Sequence, residues 1–213
     1  MGIAILIGRS VHRIMNVQRD QEIIKRIFKS NRSDTLVVIP ARSGSKRFPD
    51  KNIYEIDNSP LMIRAAKEAL KMKNKPRVII STDSDRYYKI CQKHNIEYDI
   101  RKPFLGCDSA PKQAVIADTC LNLYERERYL PNYVISLQAN SPDVKASDLD
   151  NIFKHHLVDN KYVYKETISI NKNGDQNGAI RIMNIATVFQ ESLSTYLTTY
   201  KINLRDVHHF SDL

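Results

Sequence analysis

From residue 35 onward, short apolar runs alternate with stretches whose apolar residues recur at helical spacing. "TLVVIP" (35–40) is an unbroken apolar run closed by proline, the pattern of a strand buried on both faces. "SPLMIRAAKEALKM" (59–72) predicts a helix, with Ser59 as its N-cap and Pro60 at its first helical position. "PRVIIST" predicts a second strand, "SDRYYKICQKH" a helix ending near Asn95, and "IEYDIR" a third strand. A helix follows over residues 111–129, with Val115, Ile116, Cys120, Leu121 and Leu123 on or near one face. "NYVISLQ" predicts a strand and "ASDLDNIFKHHL" a helix capped by Ser147. "ETISI" and "AIRIMN" predict strands, "IATVFQESL" a helix, and "TYKINL" a last strand. Strands alternating with helices give an α/β layered domain with a largely parallel sheet flanked by helices. In such sheets ligands sit beyond the carboxyl ends of the strands.

Ahead of this pattern, "VQRDQEIIKRIFK" (17–29) places Ile23, Ile24, Ile27 and Phe28 at helical spacing among basic residues. It predicts an appended helix packing on the domain or on another subunit, with a membrane-surface helix as the alternative. The organisation expected is a basic, partly helical extension over residues 1–33 and one domain over 34–213. The 213-residue chain carries a formal charge of +9. Seven basic residues (Arg9, Arg13, Arg19, Lys25, Arg26, Lys29, Arg32) face Asp20 and Glu22 in residues 1–33, so over half of the excess lies there. That placement argues against a nucleic-acid partner, which would draw the excess onto a domain face. Cys91, Cys107 and Cys120 are scattered without C-x-x-C spacing, which reads as free thiols in a reducing compartment. With no apolar run of membrane-spanning length, and "IAILIG" too short for a signal-peptide core, the expected location is the cytoplasm.

The chemistry concentrates after the first strand, in "PARSGSKRFPDKN" (40–52). Gly44 between Ser43 and Ser45 would let the backbone turn its N–H groups toward one point, an anion nest. Arg42, Lys46, Arg47 and Lys51 would add charge-assisted bonds to phosphate oxygens. A solvated basic turn has the same composition. The loop is not the NTPase P-loop, which needs a second glycine ahead of Lys-Ser/Thr.

The string "ARSGSKRFPDKN" resembles the nucleotide-binding signature of the cytidylyltransferases that make CMP-activated acidic sugars, and most of all the CMP-N-acylneuraminate (sialic acid) synthetases. Four further segments resemble that family in the same order: "STD" (81–83), "RKPFLGCDSA" (101–110), "LQANSP" (137–142) and "NGAIRI" (177–182). "DVHHFSDL" (206–213) completes the set. The resemblance implies a nucleotide-diphospho-sugar transferase-like (Rossmann-like) fold. It also implies transfer of CMP from CTP to the anomeric hydroxyl of an acidic sugar, release of pyrophosphate, and Mg²⁺ as cofactor, with Mn²⁺ as the alternative. It implies Arg42, Lys51 and Asp206 as catalytic residues. Ala41, Arg42, Gly44, Ser45, Lys51, Asn52, Ser81, Asp83 and Arg101 would contact the nucleotide, Gln138 and Asn177 the acceptor, and Asp206 and His208 the metal. CTP and an acidic sugar are the partners expected, and a homodimer stays open.

Several positions have plainer uses. Asn52 can simply terminate the loop, Arg101 can be a surface charge, and Gln138 can satisfy backbone groups at a strand end. Asp83 or Asp85 can cap a helix, and His155 and His156 read as an exposed helix end. The chain also departs from the family pattern. His208 stands where a second aspartate is expected, although Mg²⁺ prefers oxygen ligands. Ala139 and Asn140 replace proline and threonine. Only 38 residues separate Gln138 from Asn177, Asp175 and Gln176 stand where a basic residue is usual, and the closing helix of the relatives would lie beyond Leu213. These departures keep two alternatives open: a cytidylyltransferase for another acceptor, such as a 3-deoxy sugar acid or a phosphonate, and a non-catalytic nucleotide-binding homologue.

Overall fold

The computed structural model describes residues 34–159, 161–190 and 195–212. The helix expected over residues 17–29 lies outside them. A seven-stranded sheet is built from β1 (Thr35–Pro40), β4 (Arg77–Thr82), β5 (Glu97–Ile100), β6 (Tyr133–Leu137), β7 (Lys165–Ile170), β8 (Gln176–Asn184) and β9 (Tyr196–Lys201). Between β1 and β4, β2 (Glu55–Ile56) and β3 (Ser59–Pro60) form a two-stranded ribbon. The sheet order is β5-β4-β1-β6-β8-β7-β9, and β8 alone runs antiparallel to its neighbours. Helices α1 (Leu61–Leu70), α2 (Asp85–Lys93), α3 (Lys112–Glu127), α4 (Ala146–Leu157) and α5 (Ile185–Val188) complete the layers.

Alternation along β1 splits its side chains between two cores. Val37 and Ile39 pack with Met62 and Ile63 of α1, Tyr87 and Cys91 of α2, and Leu149, Ile152 and Phe153 of α4. Leu36 and Val38 pack on the other face with Ile116, Cys120 and Leu123 of α3 and with Ile185 and Val188 of α5. Helices therefore cover both faces of the sheet, which is why the central strand is apolar at successive positions and not only at alternate ones. The three cysteines are free thiols, and no helix among the described residues is long and apolar enough to cross a membrane.

Local departures from expectation have physical causes. Ser59 and Pro60 belong to β3, so the helix begins one residue later, with Pro60 itself in the N-cap position at φ −55°, ψ 140°. The N-cap of α4 is Lys145 and not Ser147: the Asp148 carboxylate three residues on accepts the Lys145 N–H at 2.9 Å. Ser84, and neither Asp83 nor Asp85, is the N-cap of α2. The last strand starts three residues early, at Tyr196, because Tyr196 to Lys201 pair in parallel register with Lys165 to Ile170. His156 is fully buried: its ring nitrogens lie 2.7 Å from Thr167 Oγ1 and 3.0 Å from Asn184 Oδ1. It is a core histidine pinned between α4, β7 and β8.

Because β1, β4, β5 and β6 run parallel side by side, their carboxyl ends meet along one edge. Residues 41–52, Asp83, residues 101–111 and residues 138–141 all leave the sheet there. The antiparallel β8 enters at the same edge with Asn177 and Gly178, and the chain after β9 returns to it.

Candidate active site

Strand topology alone puts the basic loop, Arg101, Gln138 and the terminal segment at one edge, and packing then closes them around a cleft. Its outer lobe, about 370 Å³, is lined by Arg42, Lys46, Arg47, Phe48, Lys51 and His208. Its inner lobe, about 260 Å³, adds Asn52, Arg101, Lys112, Gln138 and Asn140. Both lobes share Arg42, Ser45, Lys51 and Asp108.

The basic loop is anchored at its end. Asp50 adopts φ 54°, a left-handed conformation, and its carboxylate takes Arg86 at 2.6 Å and the Tyr87 hydroxyl at 3.1 Å. Burial and this carboxylate raise the Tyr87 phenol far above its ordinary value, so it remains a donor. Lys51 and Asn52 follow in a short 3₁₀ turn, and the buried Asn52 amide donates to Arg42 O at 2.9 Å, closing the loop on itself. Asn52 therefore lines the inner lobe and braces the loop together.

Within the loop, the amides do not converge as a nest. The Ser43 N–H donates to Asp83 Oδ1 at 2.9 Å, and the Ser45 N–H to Ser43 O at 2.9 Å. Gly44 has no left-handed φ, and an added Cβ would meet nothing within 4 Å. Positive charge in the cleft comes from side chains. Asp83 acts behind the loop, packed so tightly on Gly106 that a Cβ there would lie 2.9 Å from Asp83 Oδ2. Asp108 faces the loop from the other side, pairing with Arg42 and, at 2.5 Å, with Lys46. Those cations hold the Asp108 carboxyl below the usual range.

Ser81 is fully buried and supports Arg101 from beneath. Its hydroxyl accepts Arg101 Nε at 3.1 Å and its carbonyl accepts Nη2 at 2.9 Å. Arg101 is 6% exposed, not a surface charge, and burial pushes it down to about 10, still cationic at neutral pH. Ala41, also fully buried, donates its N–H to Ser81 O at 2.8 Å and extends the β1–β4 ladder.

Gln138 leaves β6 and donates its amide to Gly178 O, while its own N–H reaches Ala179 O at 2.9 Å. Gly178 has φ +66°, and a Cβ there would come within 2.6 Å of the Gln138 amide nitrogen, so glycine is required. Asn177 does not line the cleft. Its amide donates to Ile202 O at 2.9 Å and its Oδ1 accepts the Ala179 N–H at 3.1 Å, tying β8 to the chain after β9. The acceptor role expected of Asn177 becomes a bracing one.

The terminal segment is held by a residue whose sequence context marked it only as a departure. Asn140 donates to the Asp206 carboxylate and to Val207 O at 3.0 Å, and Asn140 O accepts the Val207 N–H at 2.9 Å. Val207 is fully buried between these bonds. The other oxygen of Asp206 lies 2.8 Å from His208 Nε2. Phe210 packs edge-on against Phe48 and Tyr54, with centroids 5.9 Å from each, and so clamps the segment onto the basic loop. Burial pulls Lys51 below its ordinary value; the Asp206 charge opposes this, and Lys112, Arg47 and Arg42 add to it. Lys112, at the start of α3, is lowered in the same way, with Asp206 opposing and Arg181 adding. As a residue Lys112 is exposed, so the desolvation is that of its ammonium in the protein-walled cleft. Sequence reasoning missed Lys112 and Asn140. A lysine in the first turn of a helix, where the macrodipole disfavours cations, was the available signal for the first.

The donor set also bears on a metal. Among the described residues no group of three or more His, Cys, Asp or Glu side chains could hold an ion. Asp206 offers one carboxylate, and His208 spends Nε2 on it. One carboxylate fits a Mg²⁺ ion that is otherwise held by substrate phosphates and water, and does not make a protein cage.

A mostly parallel sheet in this strand order, with a basic cleft beyond its carboxyl ends, is the fold of the nucleotide-diphospho-sugar transferases. A CMP-2-keto-3-deoxy-manno-octonic acid synthetase solved with CTP aligns with a TM-score of 0.68 at 14% identity, over 84% of this chain and 95% of that one. Residues 36–208 match the model of the cytidylyltransferase family, and the chain belongs to that family. An N-acylneuraminate cytidylyltransferase of Streptococcus agalactiae serotype V is 30% identical over 136 residues. That match covers 62% of this chain and 32% of the relative, so the chain spans about a third of that protein's length. A 3-deoxy-manno-octulosonate cytidylyltransferase of Chlorobium chlorochromatii is 26% identical over 117 residues, 55% of this chain and 43% of the relative.

Proposed function

We propose that this chain transfers CMP from CTP to the hydroxyl of an acidic sugar, N-acylneuraminate or a related nonulosonate, with release of pyrophosphate. The observation that carries this reading is the meeting of Arg42, Lys51, Arg101 and Gln138 in one cleft beside the Asp206–His208 pair. In the reaction the sugar oxygen bonds to the α-phosphorus as its hydroxyl proton passes to solvent water, the bond from that phosphorus to the bridging oxygen breaks, and pyrophosphate leaves with the electron pair. Arg42, Lys46 and Lys51 would hold the triphosphate tail and neutralise charge gathering on the leaving group. Arg101, fixed by Ser81, and Asn52 would border the nucleoside, and Gln138, fixed by Gly178, would orient the acceptor. Asp206 would ligate Mg²⁺, with Asn140 and His208 orienting its carboxylate. When bound, that ion would neutralise phosphate charge and lower the pKa of the attacking hydroxyl. No side chain of the cleft need then be a strong base.

The test is pyrophosphate release from CTP and Mg²⁺ with N-acetylneuraminate. Turnover that requires the sugar acid is expected. CTP binding without release on any acidic sugar would overturn the catalytic reading and leave a nucleotide-binding homologue. A second acceptor, 3-deoxy-manno-octulosonate, is favoured by the Chlorobium relative and by the short stretch between Gln138 and Asn177. It belongs in the same assay.

A further inference from the structure

The cations of the cleft fall into two groups. Arg42, Lys46, Arg47 and Lys51 line the outer lobe, as a triphosphate tail would demand. In the inner lobe Arg101 is committed to Ser81, and Lys112 stands on the wall that also carries Gln138 and Asn140. Lys112 opens the 16-residue helix α3, whose amide dipoles put positive potential at that end. Its ammonium forms no ion pair among the described residues, although Asp206 acts on it through space. The guanidinium next in influence, Arg181, is occupied: Glu166 accepts its Nη2 at 2.9 Å and Gln113 Oε1 accepts its Nη1 at 2.7 Å. A cation placed against a helix dipole, beside another cation and without a partner, is destabilising in isolation. An incoming anion would reverse each of those costs.

We infer that Lys112 is the binding residue for the carboxylate of the acceptor, which it would grip while the Gln138 amide holds the same molecule from the neighbouring strand end. The inference rests on the proposed transfer to an acidic sugar and specifies which residue reads the acid. The alternative site for Lys112 is the α-phosphate of CTP, and the two are separable because only one concerns the charge of the acceptor.

The experiment compares N-acetylneuraminate and 3-deoxy-manno-octulosonate with their uncharged C1 amides. Binding is measured by calorimetry in the presence of Mg²⁺ and the α,β-methylene analogue of CTP, so that no turnover is needed. The wild type is expected to prefer acid over amide. Lys112→Gln should lose about 10- to 100-fold of that preference, the worth of a charge-assisted hydrogen bond, with amide and nucleotide affinity little changed. Lys112→Arg should restore most of the preference. An unchanged preference in Lys112→Gln, a wild type that binds no acid, or a loss confined to the nucleotide analogue would each overturn the assignment. A preference that depends on Lys112 without pyrophosphate release from CTP would overturn the transfer reaction and leave the Lys112 site standing.

Discussion

His208 Nε2 lies 2.8 Å from Asp206 Oδ2, while Asn140 donates to the other carboxylate oxygen from the end of β6. The imidazole thus orients an aspartate instead of replacing one. With both oxygens engaged, Asp206 has little freedom to rotate, which is the preorganisation that the metal-binding role proposed for it would need.

That arrangement ranks three substitutions. Asp206→Asn removes the proposed metal-binding charge and should lower kcat/KM by about 100-fold or more. His208→Ala and Asn140→Ala each remove an orienting bond and should cost about tenfold, through a weaker response to added Mg²⁺. Pyrophosphate release across a Mg²⁺ titration checks the order. An Asp206→Asn enzyme with normal metal response would remove Asp206 from that role.

Asp108 occupies Arg42 and Lys46, two cations proposed for the triphosphate. CTP would compete with this carboxylate. Asp108→Asn should tighten CTP binding only modestly, since solvent-exposed ion pairs contribute little. The gain should shrink at high ionic strength, where screening weakens the competing pair. Calorimetry at low and high salt reads both effects.

Gly178→Ala sets a methyl group against the Gln138 amide at a φ of +66°. Strain at such a position costs on the order of 1–3 kcal/mol. Gln138 would be pushed from its bond to Gly178 O, so KM for the acceptor should rise more than KM for CTP. Denaturant unfolding measures the first effect and steady-state kinetics the second.

His156 predicts an acid-sensitive core. Burial pushes its pKa down to about 4, with Lys165 and His155 adding and the Asn184 hydrogen bond opposing. The unfolded chain, with an ordinary histidine near 6.5, binds the proton more readily than the folded one. The contribution is fully present above about pH 6.5 and lost as pH falls toward 4, by about 3 kcal/mol in all. His156→Gln should flatten that part of the profile. Urea unfolding of both proteins between those pH values, compared as a difference, tests it.

Much of the fold was legible because burial writes itself into the chain. β1, β4 and β6 are covered on both faces and read as continuous apolar runs, and α2 and α3 show helical spacing within a residue or two of their ends. Boundaries moved where pairing outweighed local propensity. Tyr196 to Lys201 form a strand because β7 offers a parallel edge, and Ser59 and Pro60 are drawn into a ribbon with Glu55 and Ile56. His156 looked like a surface residue because its partners, Thr167 and Asn184, arrive from distant strands.

The sequence by itself determined the alternation that makes a parallel sheet, the cationic loop after its first strand, and membership of the cytidylyltransferase family. Each of these depends on residues close together in the chain. Only the tertiary structure decided which polar groups face the cleft and which stand behind it. Ser81, Asp83 and Asn177 became supports for Arg101, Ser43 and β8, while Lys112 and Asn140 came to the wall. The physical reason is that a buried polar side chain takes whichever partner the packed elements bring to it, and those partners here lie 20 to 66 residues away in several of these contacts.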